Sequence, residues 1–137
     1  MLAAMVLGAE GVQVGTRFAA SNESSCHINF KNAVINTKEG DTVLTLKQLT
    51  PVRLIKNKFY EQVQQAELNG RPLEELKNLL GKGRSRMGMF EGNLEEGELE
   101  IGQVSSQLKE ILPAQIILQN MWREFHETCS NLSKTMI

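Results

Sequence analysis

The sequence lacks a surplus of charge of either sign. Its 137 residues carry 15 Lys and Arg against 16 Asp and Glu, which leaves a formal net charge of −1. Proteins that bind nucleic acid or an acidic membrane through their overall charge concentrate basic residues, because the bound phosphates must be neutralised. We therefore expect neither a nucleic-acid partner nor a membrane partner.

Long apolar runs and a cysteine framework are also missing. No run approaches the roughly 18 to 20 apolar residues that cross a bilayer, and the opening MLAAMVLGAEG lacks the basic start of a signal peptide. These absences predict a cytoplasmic protein. The length of 137 residues predicts a single domain-sized core. In a reducing compartment the two cysteines, Cys26 and Cys129, are predicted to be free thiols used in packing.

The spacing of apolar residues predicts mainly helices with few short strands. The predicted elements are the end of a helix at 2–7, a buried strand at 11–15, a helix capped within 22–25 and ended by 39–41, strands at 42–46 and 52–55, a helix from 57 that stops at 69–70, and a helix from Pro72 to Gly81. The last two helices are expected to form a helical hairpin.

The rest of the chain, from residue 81 onwards, contains a glycine-rich segment and a long helix. Residues 81–102 contain six glycines and a run of acids with few apolar anchors, which predicts a mobile loop. A long helix follows Pro113 and carries an apolar seam, which we expect to pack in the core; a groove for a partner helix is the alternative. The seam consists of Leu118, Trp122, Phe125, Cys129 and Leu132.

No group of side chains has the spacing of a catalytic or metal centre. Cys26 and His27 are adjacent, so on a helix they point about 100° apart, and His126 has no second ligand at metal spacing. Structural roles are predicted for both histidines. The acidic pairs at 74–75 and 95–96 and the basic turn at 84–86 are predicted to be solvated.

The stretch GAEGVQVGTRFAAS, residues 8–21, has the pattern of an anion-binding turn. A strand that ends in Gly15 lets an anion approach the backbone, and the helix that begins at Thr16 offers free N–H groups and a hydroxyl. The same pattern also occurs where a chain only turns a corner.

Several segments, in order along the chain, resemble the family of nitronate monooxygenases and type II enoyl-acyl-carrier-protein reductases. These flavin enzymes are built on a (β/α)8 barrel. The resembling segments are LAAMVLGAEGVQVGTRFAAS, which is similar to the region of the eighth barrel strand, Asp41 to Val43, Pro51 to Arg53, Lys56 to Phe59, Pro72 to Leu76, Glu91 to Asn93 with Gly97, and Gly102 with Gln103. The family often has Ser-Val-Met-Ala where this chain has Glu98 to Ile101.

The resemblance implies an α/β fold: the C-terminal fragment of an FMN-binding (β/α)8 TIM barrel, predominantly helical with few short strands as an isolated chain. It implies that Gln13, Val14, Gly15 and Thr16 hold the FMN phosphate and that Gly102 and Gln103 lie in a loop near the flavin. The substrate of the complete enzyme would be a nitronate or an enoyl group on an acyl carrier. Oxygen would reoxidise the flavin in the first case, and NAD(P)H would reduce it in the second.

A complete barrel needs about 250 residues, so the resemblance also implies that most of the enzyme lies outside this sequence. No catalytic residue is assigned to the chain, because the family's catalytic histidine belongs to the missing part. Three segments are predicted: 1–36 with the last barrel strand, the phosphate-binding turn and flanking helices, 37–101 as an inserted helical lid-like segment, and 102–137 as C-terminal helices.

A second hypothesis remains open beside the flavin enzyme. The chain could be a non-catalytic helical module for binding or assembly that uses Leu118, Trp122 and Phe125. In either case the unpaired edges of the predicted strand at 11–15 favour self-association, or pairing with the missing part of the barrel.

Overall fold

The computed structural model describes residues 1–135 as a predominantly helical chain with one small sheet. The helices are α1 (Leu2–Val6), α2 (Thr16–Ala19), α3 (Ile28–Ile35), α4 (Lys58–Leu68), α5 (Leu73–Leu80) and α6 (Ala114–Thr135), with a π-helical turn at Arg86–Phe90 and a 3₁₀ turn at Gln103–Gln107. Residues 136 and 137 of the predicted third segment lie outside the described residues. None of the described helices combines the length and hydropathy needed to cross a bilayer.

The two predicted strands after α3 are confirmed almost to the residue, and they form a hairpin. Strand β1 (Thr42–Thr45) pairs antiparallel with β2 (Val52–Ile55), and Thr42 lies opposite Ile55. Leu46 has a φ of 54°, which turns the chain out of β1 one residue before the predicted end. The two helices α4 and α5 that follow also begin and end where the sequence predicts, and they contact each other.

The predicted strand at 11–15 is wrong. These residues have no regular secondary structure, and Val12 is 41% exposed. A strand is stable only when its N–H and C=O groups find partners on a neighbouring strand. The sheet of the described residues contains only β1 and β2, so this segment has none.

The predicted start and end of α3 also need correction. Its N-cap is His27, whose Nδ1 accepts a hydrogen bond of 3.1 Å from the Asn29 backbone N–H, rather than a residue of 22–25. The helix ends at Ile35, ahead of the predicted stop at 39–41. Thr37 follows it and donates its hydroxyl proton to the Val34 carbonyl at 2.7 Å.

The core consists of two apolar clusters. One surrounds the buried Phe30 of α3 and includes Cys26, so the predicted packing role of this cysteine is confirmed. The other joins the hairpin to α4 through Leu54, Phe59 and Val63. Leu99 and Ile101 belong to the first cluster, although they lie in the segment predicted to be a loop.

The glycine-rich segment 81–102 is an ordered part of the fold rather than a mobile loop. It contains the π-helical turn, and its last residues lie along β2: the Ile55 N–H donates to Leu99 and the Ile101 N–H donates to Arg53, both at 3.0 Å. Gly88 and Gly97 pass so close that a Cβ on either would overlap neighbouring backbone. The glycines therefore permit close packing here.

The apolar seam of α6 does not pack in the core as predicted. Ile117 is buried on this helix, whereas Leu118, Trp122 and Leu132 are 60%, 57% and 49% exposed. The rings of Trp122 and Phe125 stack with their centroids 5.7 Å apart. Much of the seam is thus an exposed apolar surface on the described part of the chain.

The loop between α2 and α3 is fastened by Lys31, a charged residue that is 6% exposed. Its ammonium group donates to the carbonyls of Asn22 and Ser24 at 3.1 and 2.8 Å. Glu23, between them, accepts from the Ala114 backbone N–H at 2.8 Å at the start of α6. Lys31 thereby helps to hold the loop that caps the longest helix.

We predict that Lys31→Met lowers the free energy of unfolding by about 1–3 kcal/mol, because methionine keeps much of the side-chain volume but leaves two carbonyls without their donor. Urea unfolding of the full chain measures the change. Lys47→Met is the control, since Lys47 is exposed. Equal losses in the two variants would contradict the role given to Lys31.

Candidate functional site

The turn at Gly15 and Thr16 lies at the surface. Gly15 is exposed and forms the N-cap of α2 with a φ of −88° and a ψ of −69°, a backbone conformation open to any L-residue. A Cβ added to Gly15 would meet no atom within 4 Å. Neither backbone strain nor packing therefore requires a glycine at this position.

Thr16 connects this turn to Gly102, 86 residues further along the chain. The Gly102 N–H donates to the Thr16 hydroxyl oxygen at 3.1 Å. A Cβ on Gly102 would lie 2.5 Å from the same oxygen, so only glycine allows this approach. Because the threonine oxygen accepts this hydrogen bond, its proton can still be donated elsewhere.

Gly102 is held in place by the extension of the hairpin. Glu100 forms an antiparallel bridge with Leu54, and the hydrogen bonds of Leu99 and Ile101 flank that bridge. Two residues that the sequence predicts at the cofactor are thus brought together by backbone pairing with β2. The apolar pattern of β2 indicated the strand but gave no sign of this additional neighbour.

An open groove of about 460 Å³ runs between the turn and the hairpin. Its lining includes Gly15, Thr16 and Gly102 from the predicted cofactor residues, together with Arg53, Met89 and Glu100. The Arg53 guanidinium donates to the Thr42 carbonyl at 3.0 Å. The residues that line the groove therefore offer exposed backbone and a hydroxyl group, and they include one basic and one acidic residue.

The other predicted cofactor residues do not line this groove. Gln13 is exposed and Val14 is half-buried, both in the irregular segment before the turn. Gln103 is exposed and lines a different groove of about 600 Å³, with Lys38, Gly40 and Ser106 among its neighbours. The structure thus brings together Gly15, Thr16 and Gly102 and separates Gln103 from them.

The sequence predicted that the basic turn at 84–86 and the acids at 95–96 are solvated, which holds for the exposed Arg86 and Glu95 but not for Arg84 and Glu96. Arg84 lies 4.7 Å above the Phe59 ring and donates to the Glu96 carbonyl at 2.7 Å. Glu96 forms an ion pair of 2.8 Å with Lys58. The hydrogen bond from Lys58 lowers the pKa of Glu96, with smaller contributions in the same direction from the Lys58 and Arg84 charges.

Glu98 was not predicted from the sequence to be a special residue, yet it is only 5% exposed. Burial raises the pKa of Glu98, although the hydrogen bond with Ser85 opposes this shift. Its neighbour Glu100 lines the groove. The alternation of acids and apolar residues from Glu98 to Ile101 indicates that Leu99 and Ile101 are buried, but it gives no sign that Glu98 is buried too.

The two histidines have structural contacts. His27 caps α3 and also packs against Gly92, where a Cβ would overlap the imidazole ring. His126 lies edge-on to Trp122 with the ring centroids 4.6 Å apart. Both cysteines are free, and within residues 1–135 no group of three His, Cys, Asp or Glu side chains could hold a metal ion.

Comparison with known proteins identifies the family. The family model described as nitronate monooxygenase matches residues 1–124, which include the turn, the hairpin and the glycine-rich segment. The chain belongs to the nitronate monooxygenase family. Members of this family are flavin-dependent oxidoreductases.

Relatives of this family match nearly all of the chain. A probable nitronate monooxygenase of Staphylococcus saprophyticus is 35% identical over 129 residues, which are 93% of this chain and 36% of that protein. One of Staphylococcus aureus is 34% identical over 128 residues, again 93% and 36%. The chain therefore spans about a third of the length of these curated relatives.

A solved structure, FabK from Thermotoga maritima, is similar in fold. It superposes with a TM-score of 0.88 at 36% sequence identity and covers 98% of this chain and 42% of its own. This similarity supports the barrel family. The described residues of this chain are helical with two short strands, as the resemblance implied.

We predict that Gly102→Ala lowers the free energy of unfolding by about 1–3 kcal/mol, because the new methyl group forces Thr16 away. The φ of Gly102 is −72°, so alanine adds no backbone strain and the loss reports the contact alone. Chemical denaturation measures it. Gly11→Ala is the control, since a Cβ there meets no atom within 4 Å, and a loss of the same size in both variants would refute the prediction.

Proposed function

We propose that this chain supplies part of the FMN site of a flavin-dependent oxidoreductase of the nitronate monooxygenase or enoyl-acyl-carrier-protein reductase type. In this proposal, the turn of Gln13, Val14, Gly15 and Thr16 holds the FMN phosphate. Bound FMN would supply the hydride or electron transfer, and the protein would supply its position and electrostatic surroundings. The observation that carries the proposal is the unconstrained glycine at position 15, which lines the groove.

The backbone and surroundings of Gly15 support a ligand-binding role. Glycine occurs in folds where φ is positive or where another group must approach closely. At Gly15 the φ is negative and no protein atom lies near the position of a Cβ. A ligand that approaches the backbone from the groove explains the glycine, and a phosphate suits the exposed N–H groups of such a turn.

The neighbouring residues fit the phosphate end of the flavin. The Thr16 hydroxyl is fixed by the Gly102 N–H and keeps a proton for a phosphate oxygen, and Arg53 is the basic residue among those that line the groove. Gly102 acts in this proposal by allowing the approach to Thr16. A contact between Gln103 and the flavin remains a prediction of the resemblance.

The rest of the proposed enzyme lies on polypeptide outside these residues. The chain corresponds to 36% of its curated relatives and 42% of FabK, and we assign it no catalytic residue. We propose that it is the C-terminal portion of the barrel, with 1–36 carrying the phosphate turn, 37–101 forming a lid-like insertion and 102–137 forming C-terminal helices. The substrate would be a nitronate or an acyl-carrier-linked enoyl group, with NAD(P)H as reductant in the second case, and the chain alone is expected to be inactive.

The exposed seam of α6 favours assembly as a second function. Leu118 and Trp122 are more than half exposed, next to the half-buried Phe125. Apolar side chains grouped on one helix face mark a surface that another polypeptide covers. The missing part of the barrel or a second copy of the chain would be the partner, and the flavin and assembly proposals are compatible.

A flavin titration tests the phosphate turn. We predict that the chain quenches FMN fluorescence and that Gly15→Trp weakens this binding at least tenfold, which corresponds to about 1.4 kcal/mol, because the indole fills the space in front of the turn. Gly11→Trp is the matched control, since Gly11 also has open space around it but does not line the groove. Riboflavin, which has no phosphate, should bind with equal affinity to the wild type, Gly15→Trp and Gly11→Trp. Unchanged FMN binding by Gly15→Trp would contradict the proposed role.

Sedimentation tests the assembly surface. We predict that the chain self-associates at micromolar concentration and that Leu118→Asp shifts it towards the monomer, because a charge on an apolar interface is costly to bury. Ser130→Asp, at an exposed polar position of the same helix, should leave the distribution unchanged. A compact wild-type monomer with steep cooperative unfolding would contradict self-association.

A further inference from the structure

Two carboxyl groups contact the hydroxyl group of one serine. The Ser85 Oγ lies 2.7 Å from Glu98 Oε2 and 2.6 Å from Glu100 Oε1. A serine hydroxyl donates one proton, and an ionised carboxylate can only accept. Both contacts are hydrogen bonds only when one of the two carboxyl groups brings a proton of its own.

The surroundings identify Glu98 as the carboxyl group that carries this proton. Glu98 is 5% exposed, whereas Glu100 is half-buried and reaches the groove. Burial is the main reason why the pKa of Glu98 is raised, and the negative charge of Glu100 raises this pKa further. Arg84 is the positive group that acts in the opposite direction, and this guanidinium also lies 3.5 Å from Glu96.

We propose that Glu98 donates a proton to Ser85, that Ser85 donates its own proton to Glu100, and that this hydrogen-bonded link positions the Glu100 carboxylate in the groove wall. Glu98 and Ser85 are thus positioning residues for a group on the ligand side. The Glu98 N–H donates to the Arg84 carbonyl at 3.0 Å, which fixes the link to the residue before Ser85. The pair carries one negative charge instead of two.

The protonation of Glu98 controls the charge behind the groove. A carboxyl group whose pKa is raised by folding stabilises the protein below its unfolded pKa, and this contribution is lost as the pH rises through the folded pKa. When Glu98 ionises, it has no proton left for Ser85, and a second negative charge appears beside Glu100. An anion in the groove is then bound more weakly, a consequence that rests on the proposed phosphate site.

Carboxyl ¹³C NMR on the full chain, with glutamate labelled, tests the link directly. We expect one glutamate to titrate above the ordinary range of about 4.3 and its signal to be absent from Glu98→Gln. Glu95→Gln, an exposed neighbour, should retain it. Glu100→Gln should move the same titration to lower pH because it removes a negative charge, and this variant identifies the link even where Glu98→Gln does not fold. A raised titration that survives in Glu98→Gln, or none in the wild type, overturns the proposal.

Unfolding measured against pH gives a second readout. The amide introduced by Glu98→Gln can donate to Ser85 as the protonated acid does, so this variant should match the wild type at pH 4 and have a higher urea midpoint at pH 8. Ser85→Ala removes the link, and its loss of stability should be larger at pH 4 than at pH 8. A difference between Glu98→Gln and the wild type that does not depend on pH would overturn the proposal.

Measurements of FMN affinity test the effect of Glu98 on the ligand. Riboflavin, which has no phosphate, is the control. FMN affinity should fall more between pH 4 and pH 8 for the wild type than for Glu98→Gln, while riboflavin affinity shows no such difference. Absence of FMN binding at every pH would refute the phosphate site and leave the NMR titration to decide the proton link. Binding with the same pH dependence in both proteins would refute the control of charge by Glu98.

Discussion

The pairing of residues 99–101 with strand β2 is the constraint on which the other features of this molecule depend. Two backbone hydrogen bonds of 3.0 Å hold this segment against the hairpin and turn Leu99 and Ile101 into the core beside Phe30. The same pairing brings Gly102 to the Thr16 hydroxyl. The fold and the groove are therefore built by one set of contacts between parts of the chain far apart in sequence.

Local patterns predicted the helices and strands whose boundaries depend on a few adjacent residues. Asn57 caps α4 through its side-chain oxygen, and Gly81 ends α5 with a φ of 61°. The strand at 11–15 was mispredicted because a strand depends on neighbours that local sequence does not reveal. For the same reason the segment 81–102 resembled a loop: the partners of Gly88, Gly92 and Gly97 became visible only in three dimensions.

The candidate site was predictable in its composition and less so in its geometry. The motif around Gly15 and Thr16, and the glycine at 102, pointed to residues that line one groove. Gln103, adjacent in sequence to Gly102, lines another. Neither the charge count nor the periodicity indicated that Glu96 and Glu98, two residues apart, have pKa values shifted in opposite directions, because the shifts depend on Lys58 and on burial.

Gly15 and Gly102 differ in what their replacement costs the molecule. At Gly102 a side chain would disturb packing, so a change there is expected to reduce the amount of folded protein. At Gly15 the backbone and the space around it accept other residues. With the phosphate-binding role that we propose for Gly15, a single codon change at this position would remove ligand binding and leave a scaffold that still folds.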